Sequence, residues 1–187
     1  MKIIKVVSFL ILLMLIGCTK TNELQYIFSC KEAFFSNLET ITDQKQSFKI
    51  SLPKQWNTNF YTDELQSSIY TADTTKQLTK TILLDIALFS NRIEINELFK
   101  LKLEQENLAE KRIQKKAKEP IFLNKPSYFI LAKGIKNKYN YQSLQLFIAL
   151  NKKQSLIAKA EIYGDSLIEK RVCKAISLFN KILITEE

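Results

Sequence analysis

YFILAKGIKNKYNYQSLQLFIALNKKQSLIAKAEIY, residues 128–163, reads as three strands in a meander. The strands are Tyr128–Ile135, Tyr141–Leu150 and Ser155–Tyr163; the turns are Lys136-Asn137-Lys138 and Asn151-Lys152-Lys153. The next segment, Asp165–Ile184, is predicted helical. Asp165 or Ser166 suits the N-cap, and Ile168, Val172, Ile176, Phe179 and Leu183 fall on one apolar face.

Upstream of the meander the pattern is again extended. Phe48, Ile50 and Leu52 alternate with Ser47, Lys49 and Ser51, as in a half-buried strand that Pro53 ends. Trp56 opens another extended piece through Tyr61 and is read as structural, packing beside Pro53 under the sheet edge. Leu65–Ala72 and Lys80–Ser90 follow as strands, the second placed centrally by Ile82, Leu83, Leu84, Ile86 and Leu88, with Asp73–Gln77 as polar turn material between them. Asn96–Glu110 is rich in strong helix formers, with Leu98, Leu101, Gln105 and Leu108 on one side. Lys111–Glu119 is expected to be an edge strand or loop, where lysines also discourage edge-to-edge pairing. Before all of these, Thr19–Leu38 carries Leu24, Ile27, Phe28, Phe34, Phe35 and Leu38 at helical spacing, interrupted by Lys31. It is expected to pack on the domain or to serve as a partner-binding helix. Glu39–Gln46 reads as a polar linker.

The stretch Phe48-Lys49-Ile50-Ser51-Leu52-Pro53-Lys54-Gln55-Trp56, the element Leu123-Asn124-Lys125-Pro126-Ser127-Tyr128 and the strand end Ala160-Glu161-Ile162-Tyr163 before a terminal helix together resemble the PsbP-like superfamily. That superfamily includes the photosystem subunit PsbP, the Ran-binding import factor Mog and bacterial lipoproteins of the DcrB type. The resemblance covers Ser47 to Leu183. Gln55 and Lys125 stand where the pattern usually has Gly. It implies an α+β fold, an antiparallel sheet flanked by helices in an α/β/α sandwich, and binding or assembly roles without catalysis. Fold analogy alone does not choose among such roles.

The amino terminus has its own pattern. Lys2 and Lys5 precede an apolar run from Val6 to Ile16, about half of the roughly 20 residues a spanning helix needs. A basic start, a short apolar core and a small residue before the cut are the parts of a secretory signal peptide. Leu15-Ile16-Gly17-Cys18 resembles the lipobox of bacterial lipoproteins, in which the cysteine thiol receives a diacylglycerol and the signal is cut before it. An uncleaved short anchor with an incidental cysteine is the alternative. The resemblance implies a signal peptide over 1–17, a lipidated tether and helix over 18–46 and the PsbP-like domain over 47–187. Cys18 would anchor the chain in a membrane. Thr19 in place of Asp after it favours the outer membrane where a cell has two.

Two cysteines remain, Cys30 and Cys173. In an exported chain one bridge between them is the natural hypothesis, and two unpaired buried thiols are the alternative. Cys173 lies at the border of the apolar stripe of the terminal helix, where a second helix could bring Cys30 close.

The composition is that of a folding chain, 46% hydrophobic and 25% charged. The formal net charge of +9 suits an anionic surface, or simply reflects solvated lysines. There is no histidine, which removes the usual general base and the usual transition-metal ligand. With only Gly17, Gly134 and Gly164, no glycine-rich phosphate loop can form. No cofactor and no metal are therefore expected. The nearest catalytic candidates are Asp63-Glu64, and Ser127 near Lys125; neither makes an enzyme the preferred reading. Nucleic acid is disfavoured by export. What remains is a membrane-anchored envelope protein with an interaction or assembly role and an unidentified protein partner. The alternative is a small-molecule or lipid-binding module.

Overall fold

The computed structural model describes residues 23–185. Helix α1 (Glu23–Ile27) precedes strands β1 (Leu38–Thr42), β2 (Phe48–Pro53), β3 (Asn57–Thr62), β4 (Gln66–Ala72) and β5 (Leu83–Phe89). Then come α2 (Glu97–Ala109), β6 (Ile113–Lys118), β7 (Ile121–Phe122), β8 (Lys125–Lys136), β9 (Tyr139–Ala149), β10 (Ser155–Tyr163), α3 (Ile168–Phe179) and β11 (Ile182–Ile184). The main sheet runs β3-β4-β5-β10-β9-β8-β6, with β7 folded back on β8; a second sheet of three strands runs β1-β2-β11. Every pairing is antiparallel.

The pleat sorts the meander into two cores. Phe129, Leu144, Leu146, Ile148, Ala158 and Ile162 point to one face and pack with α1, α3 and the small sheet. Tyr128, Ile130 and Phe147 point to the other and meet Leu103 of α2, with Phe99 edge-on to both Tyr128 and Phe147. The result is the α+β arrangement of an antiparallel sheet with helices on both faces. The β8–β9 turn is tight: Asn137 and Lys138 both take positive φ, as a two-residue hairpin turn matching the strand twist requires. Leu123 and Asn124 do the same between β7 and β8. Gly164 (φ +74) admits no side chain, because a Cβ would lie 2.9 Å from that of Thr79.

Several sequence expectations are corrected. Within the described part of Thr19–Leu38, helix is confined to Glu23–Ile27. Ser29 adopts the left-handed region and ends it, and the chain beyond is held on α3 by the Ala33 N–H, which donates to Ser177 Oγ at 3.1 Å. The supposed linker Glu39–Gln46 contains most of β1, which pairs with β2 in the register Ile41↔Ile50. Its turn is closed by Asp43, a buried carboxylate accepting from the backbone N–H groups of Phe48 (2.7 Å) and Lys45 (3.0 Å).

The terminal helix stops at Phe179. Ile182–Ile184 instead join the other edge of β2, burying Ile182 and exposing Leu183. Its first-turn neighbour is Leu167 with φ 50, and Asp165 accepts from Asn140 Nδ2 rather than capping. Helix α2 has the predicted span and an Asn96 cap, but it docks through Phe99, Leu103 and Asn107. Leu98 and Leu108 are left 76% and 73% exposed, because the edge-on packing of Phe99 sets the rotation of the helix.

Candidate functional site

Three features stand out among the described residues: the cysteine bridge, a charged cluster on the sheet and two clefts. Cys30 and Cys173 are joined, with an S–S distance of 2.02 Å and Cα atoms 5.3 Å apart. The bond ties the chain just after α1 to the middle of α3. Cys18 lies outside the described residues.

The charged cluster occupies the part of the sheet's outer face that α2 leaves open. Residues two apart on β10, namely Lys159, Glu161 and Tyr163, share that face, and β8 contributes Lys136. Both Glu161 oxygens accept from Lys136 Nζ at 3.1 Å. Lys159 Nζ lies 2.8 Å from Oε1, and the Tyr163 hydroxyl donates to Oε2 at 2.8 Å. Tyr163 stacks on Tyr141 with ring centroids 5.5 Å apart. Burial alone would push the Glu161 carboxyl up. The hydrogen bonds from Lys159 and Tyr163, with the lysine charges, outweigh it and hold the carboxyl at about 2. Burial, then the bond to Glu161, pushes the Tyr163 phenol up to about 12. Asp85, across the face, is raised by desolvation and by the Glu161 charge, with Lys159 opposing.

Lys136, Lys159, Glu161 and Tyr163 form an ion-pair and hydrogen-bond network committed to one another. Because the folded Glu161 value lies below its ordinary 4.5, its stabilisation is present above pH 4.5 and lost as pH falls towards 2. Glu161→Gln is expected to cost about 2–3 kcal/mol at neutral pH and to flatten the acid limb of stability against pH. Urea unfolding across that range checks it; an unchanged acid limb would contradict the assignment.

The larger cleft, 630 Å³, opens between the ends of the two sheets and is lined by Lys45, Ser47, Lys125, Asn151, Gln154 and Thr185 among others. The smaller, 180 Å³, lies between Trp56, Phe34 and α3, with Lys80 and Lys174 among its lining residues. Trp56 is half-buried against the main core, its backbone N–H donating to the Pro53 carbonyl at 2.9 Å. The larger cleft presents hydroxyls, amides and ammonium groups beside Leu123, Leu150 and Ile182, and the smaller adds the Asp73 carboxylate, paired with Lys76, to its cations and aromatic rings.

The catalytic candidates do not assemble. Asp63 accepts from the Leu65 and Gln66 N–H groups (2.8 Å each) and from the Tyr61 hydroxyl (2.9 Å), so it shapes the β3–β4 turn. The hydrogen bond from Gln66, then those from Tyr61 and Leu65, lower its carboxyl. Ser127 Oγ is buried and donates to the Pro120 carbonyl at 2.5 Å, closing the loop of β7, while Lys125 is exposed. No group of three or more Cys, Asp or Glu residues is arranged to hold a metal among the described residues. Sequence reading missed the Glu161 network, although Lys159, Glu161 and Tyr163 at two-residue spacing in a predicted strand were its visible trace. It also missed Arg171, described below, which left no such trace.

No family model matches the chain, and no curated protein matches it by sequence. Solved structures do. The fold is similar to that of cyanobacterial PsbP (CyanoP) from Synechocystis sp. PCC 6803, with a TM-score of 0.55 at 8% identity over 83% of this chain and 97% of that one. A mutant of Mog1 gives 0.50 at 9% identity over 80% of this chain and 97% of its own. A protein from Bacteroides thetaiotaomicron VPI-5482 gives 0.50 at 10% identity, covering 81% of this chain and 50% of that one. The domain therefore has a PsbP-like fold. At these identities the likeness is one of fold alone.

Proposed function

We propose that the mature chain begins at Cys18, is held to a bacterial envelope membrane by acyl chains on that residue, and works by binding a protein partner without catalysis. The observation that carries this reading is the basic start and short apolar run ending in Leu15-Ile16-Gly17-Cys18. Two or more acyl chains, at about 0.8 kcal/mol per buried CH₂, make such an anchor stable. A cysteine bridge suits the oxidising compartment that export implies. Among the described residues no helix is long and apolar enough to cross a membrane. The engaged states of Ser127 and Asp63 favour a non-catalytic role. Thr19 after the cysteine favours the outer membrane of a two-membrane cell.

Cys18→Ser is expected to leave an unprocessed precursor and to abolish metabolic labelling with a fatty acid. Undiminished labelling would contradict the anchor. Crosslinking in intact cells tests the interaction role. A second reading, a small-molecule or lipid-binding module, is favoured by the 630 Å³ cleft. A ligand retained in native mass spectrometry would select it.

A further inference from the structure

The fold takes hold of the chain soon after Cys18. Leu24 is fully buried, and Glu23 Oε2 accepts the Ile121 N–H at 2.6 Å. The five Cα–Cα steps from Cys18 to Glu23, fully extended, reach at most about 18 Å. A domain of this size is roughly 40 Å across. A lipid on Cys18 therefore keeps one side of the domain, the side around α1, against the headgroups.

That side has a distinct chemistry. Next to α1 runs β6, an edge of the main sheet: Lys116 Nζ donates to the Ile27 carbonyl at 2.9 Å and sits 4.9 Å from the Phe28 ring centroid. The six residues of β6, Ile-Gln-Lys-Lys-Ala-Lys, include Lys115, Lys116 and Lys118 and no acid. Lys115 and Lys118 are exposed and make no ion pair among the described residues. Glu119 is paired with Lys100 at 2.5 Å; Glu23, accepting from the neutral Ile121 N–H, keeps its charge, and the three lysines outnumber it. Tyr26 of α1 and Ile121 of β7 are 79% and 54% exposed, an interfacial aromatic and an apolar side chain beside the cations.

Protection of a sheet edge against aggregation would also use lysines. The opposite edge of the same sheet rules against that as the whole explanation. Strand β3, Asn-Thr-Asn-Phe-Tyr-Thr, is equally open and carries no charge and no proline. The lysines are placed on the edge beside the anchor and not on the one away from it.

We propose that the β6 edge, with Tyr26 and Ile121, is a docking surface for the anionic phospholipid surface in which the anchor sits. The proposal rests on lipidation of Cys18. It fixes the orientation of the domain, with β6 towards the headgroups and the β3 edge away from them.

Lysine acetylation rates, read residue by residue by mass spectrometry, test it. The mature protein is purified from membranes and reconstituted in vesicles of phosphatidylcholine with and without phosphatidylglycerol. Lys115 and Lys118 are expected to react about fivefold more slowly with phosphatidylglycerol present, the effect of one lysine at an anionic surface, while Lys170 and Lys181 are unchanged. High salt should abolish the difference. In Lys115→Glu, Lys118 should lose its protection while the Cys30–Cys173 bridge stays intact. Equal rates in both vesicles, with an acylated Cys18 peptide in the same digest, would overturn the docking surface and leave the anchor standing. A Cys18 peptide without acyl mass would overturn both.

Discussion

Reducing the Cys30–Cys173 bridge is expected to lower the unfolding free energy by about 5 kcal/mol. The two cysteines are 143 positions apart, and in the chain-entropy model closing so long a loop removes that much freedom from the unfolded state. The effect also has a local part. Beyond Ser29 the chain has no helix or strand of its own until β1, and the bridge and the Ala33–Ser177 hydrogen bond hold it to α3. Without the covalent tie, α1 and the residue after it are docked by Leu24, Ile27 and Phe28, the last with its ring 5.1 Å from that of Phe129, and by a few polar contacts. Urea unfolding of the oxidised protein against Cys173→Ser, at pH 7, measures the difference. Coincident midpoints would show that the bridge contributes nothing to the folded state.

Arg171→Met is expected to cost on the order of 4 kcal/mol, although the replacement has similar bulk and helix propensity. Arg171 is buried in the first turn of α3 and donates to four backbone carbonyls. Nη1 reaches Tyr163 O (2.7 Å) and Thr81 O (3.2 Å), Nη2 reaches Ser166 O (2.7 Å) and Gly164 O (3.3 Å), and Nε also reaches Ser166 O (3.0 Å). The guanidinium gathers the end of β10, the loop into α3 and the approach to β5 in one clamp. Methionine would fill the space and leave the carbonyls without donors. Thermal or urea unfolding reads the loss; a change below about 1 kcal/mol would mean that solvent replaces the guanidinium there.

The parts of the fold that were legible in sequence are those whose signal is local and long. The meander from Tyr128 to Tyr163 was readable because its strands are nine to twelve residues with polar turns between them. The face of α3 through Val172, Ile176 and Phe179 was readable because those positions repeat with the helical period and are all buried. β1 and β11 were not. They have five and three residues, too few for a period to show, and what makes them strands is β2 lying between them.

Helix α2 illustrates the opposite difficulty. Leu98, Leu101 and Leu108 gave it a persuasive apolar side, yet the sheet offers Tyr128 and Phe147, and an aromatic contact through Phe99 decided the rotation. Likewise the partners of Arg171 are carbonyls, which no side-chain pattern reveals. The Glu161 network needed the register of β8 against β9 and β9 against β10 before Lys136 could be placed near it.

Lipid anchoring of a bridged, PsbP-like domain is tested most directly by the intact mass of the protein purified from membranes. The expected mass is that of residues 18–187 with acyl groups added and two hydrogens missing for the Cys30–Cys173 bond. A chain that retains Met1 to Gly17, or one beginning at Cys18 without acyl mass, would contradict it.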